Sequence, residues 1–326
     1  MKVAPVGGSP VSLDDVISAR DLIGPKVLRT PLLWSDMLSS ISGAQVWLKV
    51  EALQRTGSFK VRGALNAVGR LTEEELRRGV ITVSAGNHGM ALAFAARECG
   101  SSAVVVMPRT AVPAKIAAVE GFGGRPVLVD GSRMMESMEA IREREGQTFV
   151  HPFDHPHVMA GQGTVGLEIL DDLPDVDAVV VPTGGGGLLS GVATAVKSRV
   201  SHARVIGVEP EGSTAVSQSL AAGRPLRLES FQTIADGLNA PWSGPNSFAI
   251  IQRLVDEVVT VSDDQIAEAL IVTLDRVKLV VEPAGAAGVA ALLNGQLSGV
   301  RGRKVAVILS GGNVGREALR VFLSHG

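Results

Sequence analysis

The stretch Glu51-Ala-Leu-Gln-Arg-Thr56-Gly-Ser-Phe-Lys60-Val-Arg-Gly-Ala64 puts a lysine where a helix begins. A strand-like run, Val46 to Val50, alternates apolar and polar residues and leads in; a helical pattern, Val61 to Val68, leads out. Thr56-Gly57-Ser58 reads as the turn between them, with Ser58 the expected N-cap. Lys60 then falls in the first helical turn. The unpaired N–H groups and the positive end of the helix dipole disfavour a cation there. The same surroundings lower the pKa of an amine, which a Schiff-base lysine needs. A solvated surface lysine is the competing reading, and it has to be weighed against the rest of the chain.

Working outward, strands and helices alternate on both sides of this stretch. Upstream, Ser12 opens a helix that runs to about Val27. Downstream, strands are expected at 80–83, 103–107, 127–129 and 149–150, with helices at 87–99, 113–119 and 132–145 between them. A second series follows: helix 163–172, strand 178–181, helix 188–199 and strand 205–208. Helices are then expected around 213–220, 248–255, 264–277 and 284–293, and a last strand at 305–309. Such alternation implies right-handed βαβ units and largely parallel sheets. Runs such as Ala178-Val-Val-Val181 lack period-two alternation, as expected when both faces of a strand are covered.

The chain has 326 residues, a net charge of −2 and one cysteine, Cys99. That length exceeds the roughly 250–300 residues one core sustains, so two lobes are expected. The weak charge, with no basic patch, argues against nucleic acid or an anionic membrane as partner. A single cysteine permits no intramolecular disulfide and fits a reducing compartment. No apolar run reaches the roughly 20 residues of a membrane span, and Met1 to Pro10 has no signal-peptide core. A cytoplasmic protein is expected.

Three further segments bear on Lys60. In Val179-Val-Val-Pro-Thr-Gly184-Gly-Gly-Gly187-Leu188, a buried strand runs through four glycines into a helix. The backbone N–H groups of such a bend can approach a phosphate closely. Ser84-Ala-Gly-Asn-His88 joins a strand to a helix and offers N–H groups and an amide to a carboxylate; plain N-capping by Ser84 or Asn87 is the alternative. Ser310, in Leu309-Ser-Gly-Gly-Asn313, places a hydroxyl at the carboxyl end of a strand, where open α/β sheets bind ligands. Gly161-Gln-Gly163-Thr-Val-Gly166 matches a dinucleotide fingerprint but follows a His-Pro-rich segment, His151 to His157, rather than a buried strand. That segment holds three of the six histidines. Its prolines favour a loop over a metal site.

Together, in this order, these motifs resemble the fold-type-II pyridoxal-phosphate enzymes of the tryptophan-synthase-β superfamily, and within them the serine/threonine dehydratase and serine racemase branch. The resemblance spans about Thr30 to Gly315. It implies two lobes, each with a mostly parallel twisted sheet flanked by helices. Residues 1–52 and 154–326 would form the large cofactor-binding domain and 53–153 the small one, with the Lys60 helix at the junction. It implies pyridoxal 5'-phosphate in Schiff-base linkage to Lys60, with Phe59 near its ring. Gly184, Gly185, Gly186, Gly187 and Leu188 would hold its phosphate, Asn87 its phenolic oxygen and Ser310 its ring nitrogen. Gly237 and Glu282 would line the same cavity; a helix-terminal acid is the other reading of Glu282. Ser84, Ala85, Gly86, Asn87 and His88 would receive the substrate carboxylate, with Asp236 nearby.

The resemblance also implies the reaction. Released Lys60 acts as general base at Cα, the β-hydroxyl leaves, and hydrolysis yields a 2-keto acid and ammonia. L-Threonine and L-serine are the expected substrates, with 3-hydroxyaspartate or another β-hydroxy amino acid as the alternative. Serine racemisation and a non-catalytic sensor are remoter readings. Racemases of this branch carry a second Ser where this chain has Ala85, so no acid serves the opposite face of Cα. Metal-using members place an Asp where this chain has Ala215, which leaves Glu209 and the Ser213 carbonyl without the carboxylate that completes a divalent-cation site. Arg133 falls where racemases place a mobile arginine, though it also suits a solvated first helical turn. The chain ends at Gly326, so feedback inhibition through an added regulatory domain is not expected. A homodimer or higher homo-oligomer is the family's default.

Overall fold

The structure is a computed structural model in which residues 9–324 are described. In chain order the elements are α1 Leu13–Ile23, β1 Leu32–Trp34, α2 Asp36–Ser42, β2 Gln45–Val50, α3 Lys60–Val68, α4 Glu73–Arg78, β3 Val80–Val83 and α5 Asn87–Glu98. Next come β4 Ala103–Pro108, α6 Pro113–Gly121, β5 Gly124–Val129, α7 Met134–Glu145, β6 Thr148–Phe149, α8 Pro156–Asp172, β7 Ala178–Pro182 and α9 Gly187–Arg199. The remainder are β8 Arg204–Pro210, α10 Ala215–Ala222, α11 Pro245–Leu254, β9 Glu257–Val261, α12 Asp263–Val272, α13 Pro283–Leu293, β10 Lys304–Leu309 and α14 Arg316–Leu323.

The strands form two sheets, one in the order β1-β2-β10-β7-β8-β9 and one in the order β5-β4-β3-β6. Every pairing is parallel except that of β1 with β2. The apolar runs explain the burial. In β10, Val305, Val307 and Leu309 enter a core with α13, while Ala306 and Ile308 enter one with α9. In β4, Ala103, Val105 and Met107 face α3 and α5, and Val104 and Val106 face α7. Both faces of each central strand are thus covered by helices.

Several expectations are corrected. Ser58 does not cap α3. Phe59 already has helical angles (φ −56°, ψ −21°) and takes the cap position, while Ser58 forms an antiparallel bridge with Gly311. The helix expected from Gly163 starts seven residues earlier, at Pro156, because proline is well placed in a first helical turn. The fingerprint-like glycines therefore lie inside α8, where they admit neighbouring backbones. A Cβ on Gly161 would sit 2.5 Å from the Arg62 carbonyl of α3, and one on Gly163 2.8 Å from the Gly191 carbonyl of α9. The helix expected over 264–277 is α12, then a π-helical turn, Thr273–Val277, closed by Lys278 at φ 65°.

Other elements have no counterpart in the sequence reading: β1, α2, α4, β9 and α14. Two carried readable signals. Thr72 and Glu75 form a capping box at α4, and the Ser35 hydroxyl accepts the Leu38 N–H at α2. Among the described residues no helix is long and apolar enough to cross a membrane.

Candidate active site

Three neighbouring strands of the large sheet, β2, β10 and β7, deliver Lys60, Ser310 and the four glycines from their carboxyl ends. From the smaller sheet, β3 delivers Ser84 to His88 in the same way. Ligands in open α/β sheets bind outside these ends, because the loops and helix N-termini there present unpaired N–H groups.

The Lys60 segment and the Ser310 segment are stitched together by their backbones. Phe59 N–H donates to the Ser310 carbonyl at 3.1 Å, and Gly312 N–H to the Gly57 carbonyl at 2.8 Å. Asn313 Nδ2 adds a bond to the Thr56 carbonyl at 2.8 Å. Lys60 Nζ donates to the Pro152 carbonyl at 2.9 Å and lies 5.3 Å from the Phe59 ring centre. Removal from water pushes the Lys60 amine down to about 8, partly opposed by the Glu282 carboxylate. The Phe59 ring itself packs against the large-sheet core.

Glu282 stands in the middle of this group, at the N-terminus of α13. Its N–H donates to the Gly311 carbonyl at 3.0 Å. Asn87 Nδ2 donates to Glu282 Oε1 at 2.6 Å, and Asn87 Oδ1 accepts from Asn313 Nδ2 at 2.8 Å. Burial raises the Glu282 carboxyl to about 7, against the Asn87 hydrogen bond that favours the ionised form. A Cβ on Gly237 would lie 3.6 Å from Glu282 Oε1, so Gly237 lines the same space. Ser310 is buried, and its hydroxyl makes only a long 3.4 Å contact with the Ala284 carbonyl, which leaves it available to a ligand.

The glycines form a bend that side chains would fill. Gly186 has φ +93°, and a Cβ on Gly185 would sit 2.5 Å from two carbons of the Phe153 ring. Gly187 begins α9, whose N-terminus has no side-chain cap. With Leu188 in that first turn, unpaired N–H groups and the helix dipole together suit a phosphate. Ser247 Oγ donates to the Gly185 carbonyl at 2.9 Å and so engages an acceptor at the bend.

In the asparagine loop, Ser84 Oγ accepts from the Gly86 and Gly89 N–H groups at 3.2 and 3.1 Å, so Ser84 partly serves as a cap. Ala85 is exposed and Gly86 half-buried. The His88 ring faces Val150, its Nε2 being 3.1 Å from that carbonyl, and burial together with the Lys60 charge lowers it to about 3. His88 is therefore a neutral ring tying α5 to the end of β6. Asp236 is exposed and pairs with Lys115 of α6 at 3.2 Å. That ammonium lies 4.0 Å from where a Cβ on Gly86 would be.

Lys115 and Phe153 escaped the sequence reading. The charge of Lys115 sits in an unremarkable helical pattern. Phe153 is embedded in the His-Pro-rich loop, where the histidines carry the more conspicuous chemistry. His151 Nδ1 accepts the Phe153 and Asp154 N–H groups at 3.2 and 2.8 Å, and the loop braces the site. Arg133 pairs with Glu136 at 3.0 Å on an exposed turn before α7. Glu209 is buried and receives the Val216 and Ser217 N–H groups at 2.7 and 2.8 Å, capping α10; burial raises it to about 7. The Ser213 hydroxyl is engaged with Leu238 and Ala240.

Known proteins resemble this chain in sequence and in fold. Residues 23–311 match the family described as pyridoxal-phosphate dependent enzyme. The L-threonine ammonia-lyase of Thermotoga maritima is 46% identical over 97% of this chain and 79% of that protein. The structure of maize serine racemase superposes with a TM-score of 0.92 at 36% identity, covering 97% of this chain and 98% of that one. The crystal structure of T.th. threonine deaminase does so with a TM-score of 0.88 at 42% identity, covering 93% and 99%. With a family match over most of its length and a relative 46% identical to it, this chain belongs to the pyridoxal-phosphate dependent enzyme family.

Proposed function

We propose that the protein is a pyridoxal-phosphate-dependent ammonia-lyase for a β-hydroxy amino acid, L-threonine first and L-serine second. The products are 2-oxobutyrate or pyruvate, with ammonia. The observation that carries this reading is the buried Lys60 amine, lowered to about 8 against the pull of Glu282, which Asn87 bonds, with Ser310 joined to the neighbouring Phe59. The names of the similar threonine ammonia-lyase and threonine deaminase support the substrate.

The residues present fit the cofactor. The uncapped N-terminus of α9 and the side-chain-free bend suit its phosphate. The spare Ser310 hydroxyl suits the ring nitrogen and the Asn87 amide the phenolic oxygen. Bound pyridoxal phosphate supplies an aldehyde that condenses with amines and a ring that draws electron density from Cα.

The remaining work belongs to the chain. N–H groups at the start of α5, with Ser84, receive the substrate carboxylate. Near pH 8 a large share of Lys60 is neutral, so Nζ can take the Cα proton. A hydroxyl such as Ser310 hydrogen-bonds a ring nitrogen without holding a full charge there, which favours prompt loss of the β-hydroxyl. Water then hydrolyses the free enamine to keto acid and ammonia. Ala85 offers no hydroxyl to reprotonate Cα from the other face, which favours elimination over racemisation.

Lys115 favours a second reading, a dicarboxylate such as 3-hydroxyaspartate, whose extra carboxylate would compete with Asp236 for the ammonium. A substrate panel with keto-acid detection separates the two. L-Threonine should give the highest kcat/KM; strong preference for the dicarboxylate would transfer the assignment. Lys115→Ala should then raise KM for 3-hydroxyaspartate more than for threonine. Lys60→Ala should abolish turnover and the cofactor's visible band, and unchanged ammonia release would refute the reading. We further assign residues 1–52 and 154–326 to a large domain and 53–153 to a small one. A cytoplasmic homodimer or higher homo-oligomer is the expected state, and the exposed Leu33, Trp34 and Ile41 offer it an apolar contact.

A further inference from the structure

Two residues beyond Lys60, and so on another side of the first turn of α3, Arg62 is wholly buried. It is gripped by two carboxylates. Its Nε and Nη2 donate to Glu51 Oε2 and Oε1, both at 2.8 Å. Its Nη1 and Nη2 donate to Glu168 Oε1 and Oε2 at 2.7 and 2.9 Å, and Nη1 reaches Thr164 Oγ1 at 3.2 Å. Lys49, also wholly buried, donates to Glu168 Oε2 and to the Thr30 carbonyl, each at 2.6 Å. Thr30 in turn donates to Glu51 Oε1 at 2.5 Å. Two cations and two anions make a neutral quartet joining β2, the segment after it, α3 and α8.

Burying four charges is an expensive way to fill a core. Apolar residues of similar volume are often as stable or more so. What the quartet adds is direction. The planar guanidinium accepts two bidentate partners in only one orientation. A second fixed point lies one residue on, where a Cβ on Gly63 would be 2.7 Å from the Val158 carbonyl of α8. Helix α3 is therefore pinned in both tilt and rotation at the turn that carries Lys60.

We propose that the Glu51–Arg62–Glu168–Lys49 quartet is a positioning device for the Lys60 amine. This rests on Lys60 being the Schiff-base lysine. Arg62 touches neither substrate nor cofactor; it acts by fixing the helical turn from which Lys60 reaches the cleft.

The test is borohydride trapping. Apo-protein is mixed with pyridoxal phosphate, reduced at intervals and digested, and the pyridoxyl tag is located by mass spectrometry. A wild-type tag on another lysine would refute the Schiff-base reading itself, which separates that failure from this one. Two variants then probe the quartet. Arg62→Lys keeps the charge and loses the fork. Lys49→Met with Glu168→Leu removes one charge of each sign and leaves a neutral Glu51–Arg62 pair. Both should unfold cooperatively near the wild-type temperature yet tag Lys60 about tenfold or more slowly, because a small misplacement of a reacting group is costly. Their kcat should fall in parallel, with KM for L-threonine within about twofold, a split that general loosening would not give. A folded variant that tags Lys60 and turns over at wild-type rates overturns the proposal. So does failure of both to fold, which would make the quartet a requirement of folding rather than of placement.

Discussion

Gly185→Ala tests the glycine bend with a single methyl group. The added Cβ would lie 2.5, 2.5 and 2.6 Å from three carbons of the Phe153 ring, where ordinary contact begins at 3.4 Å. The ring or the bend must yield by about 0.9 Å. The ring is poorly able to retreat, being packed edge-on against His151 at 4.6 Å and Trp242 at 6.1 Å between centres. Overpacking of this kind costs about 1–3 kcal/mol. Without cofactor the bend can relieve the strain by moving; a bound phosphate requires the original path, so the cost falls on binding. At about 1.4 kcal/mol per factor of ten, affinity for pyridoxal phosphate should drop about 5- to 150-fold. The assay is titration of apo-protein with pyridoxal phosphate, followed by visible absorbance. Gly131→Ala, where a Cβ meets nothing within 4 Å, is the control. Adding Phe153→Leu should restore part of the loss by making room. Wild-type affinity in Gly185→Ala alone would show that the phosphate does not depend on this bend.

Further outcomes follow from the buried acids and from Ala85. Glu282 is raised from 4.5 to about 7, a cost of about 3 kcal/mol at full ionisation. A raised carboxyl contributes stability that is present below its unfolded value and lost as pH rises through its folded value. Glu282→Gln should therefore gain on wild-type apo-protein between about pH 4.5 and 7; a difference in melting temperature that does not vary with pH would refute this. The same variant removes the charge that supports protonated Lys60, so the pH dependence of borohydride trapping should shift to lower pH. Ala85→Ser should introduce D-serine formation from L-serine, read by chiral chromatography; its absence would show that a hydroxyl at this position is insufficient.

The alternating strands and helices were legible because each is local. The apolar run 178–181, the four glycines after it and the Leu188 helix sit within one βα unit, and turn chemistry decides their shape. Lys60 at a helix start was legible for the same reason, although the cap was misplaced by one residue because Ser58 is taken by a bridge to Gly311. The glycines of α8 match a dinucleotide fingerprint only in spacing, because helix-packing glycines and phosphate-binding glycines share it, and the missing buried strand before them rightly told against that reading. Their packing role emerges only when the neighbours at 2.5–2.8 Å are seen to be the backbones of α3 and α9.

Sequence by itself thus determined the alternation of strands and helices, which strands are covered on both faces, and that Lys60 lies at a helix start; several helix starts escaped it. Tertiary structure alone decided that β10 lies between β2 and β7, which brings Ser310 beside Lys60. It also decided that Asn87 meets Glu282, 195 residues away, and that Pro152 receives the Lys60 amine from 92 residues away. The physical reason is range. Periodicity, capping and turn preference act within about four residues. Desolvation, ion pairing and the resulting shifts at Lys60 and Glu282 arise only where distant segments close a common cavity.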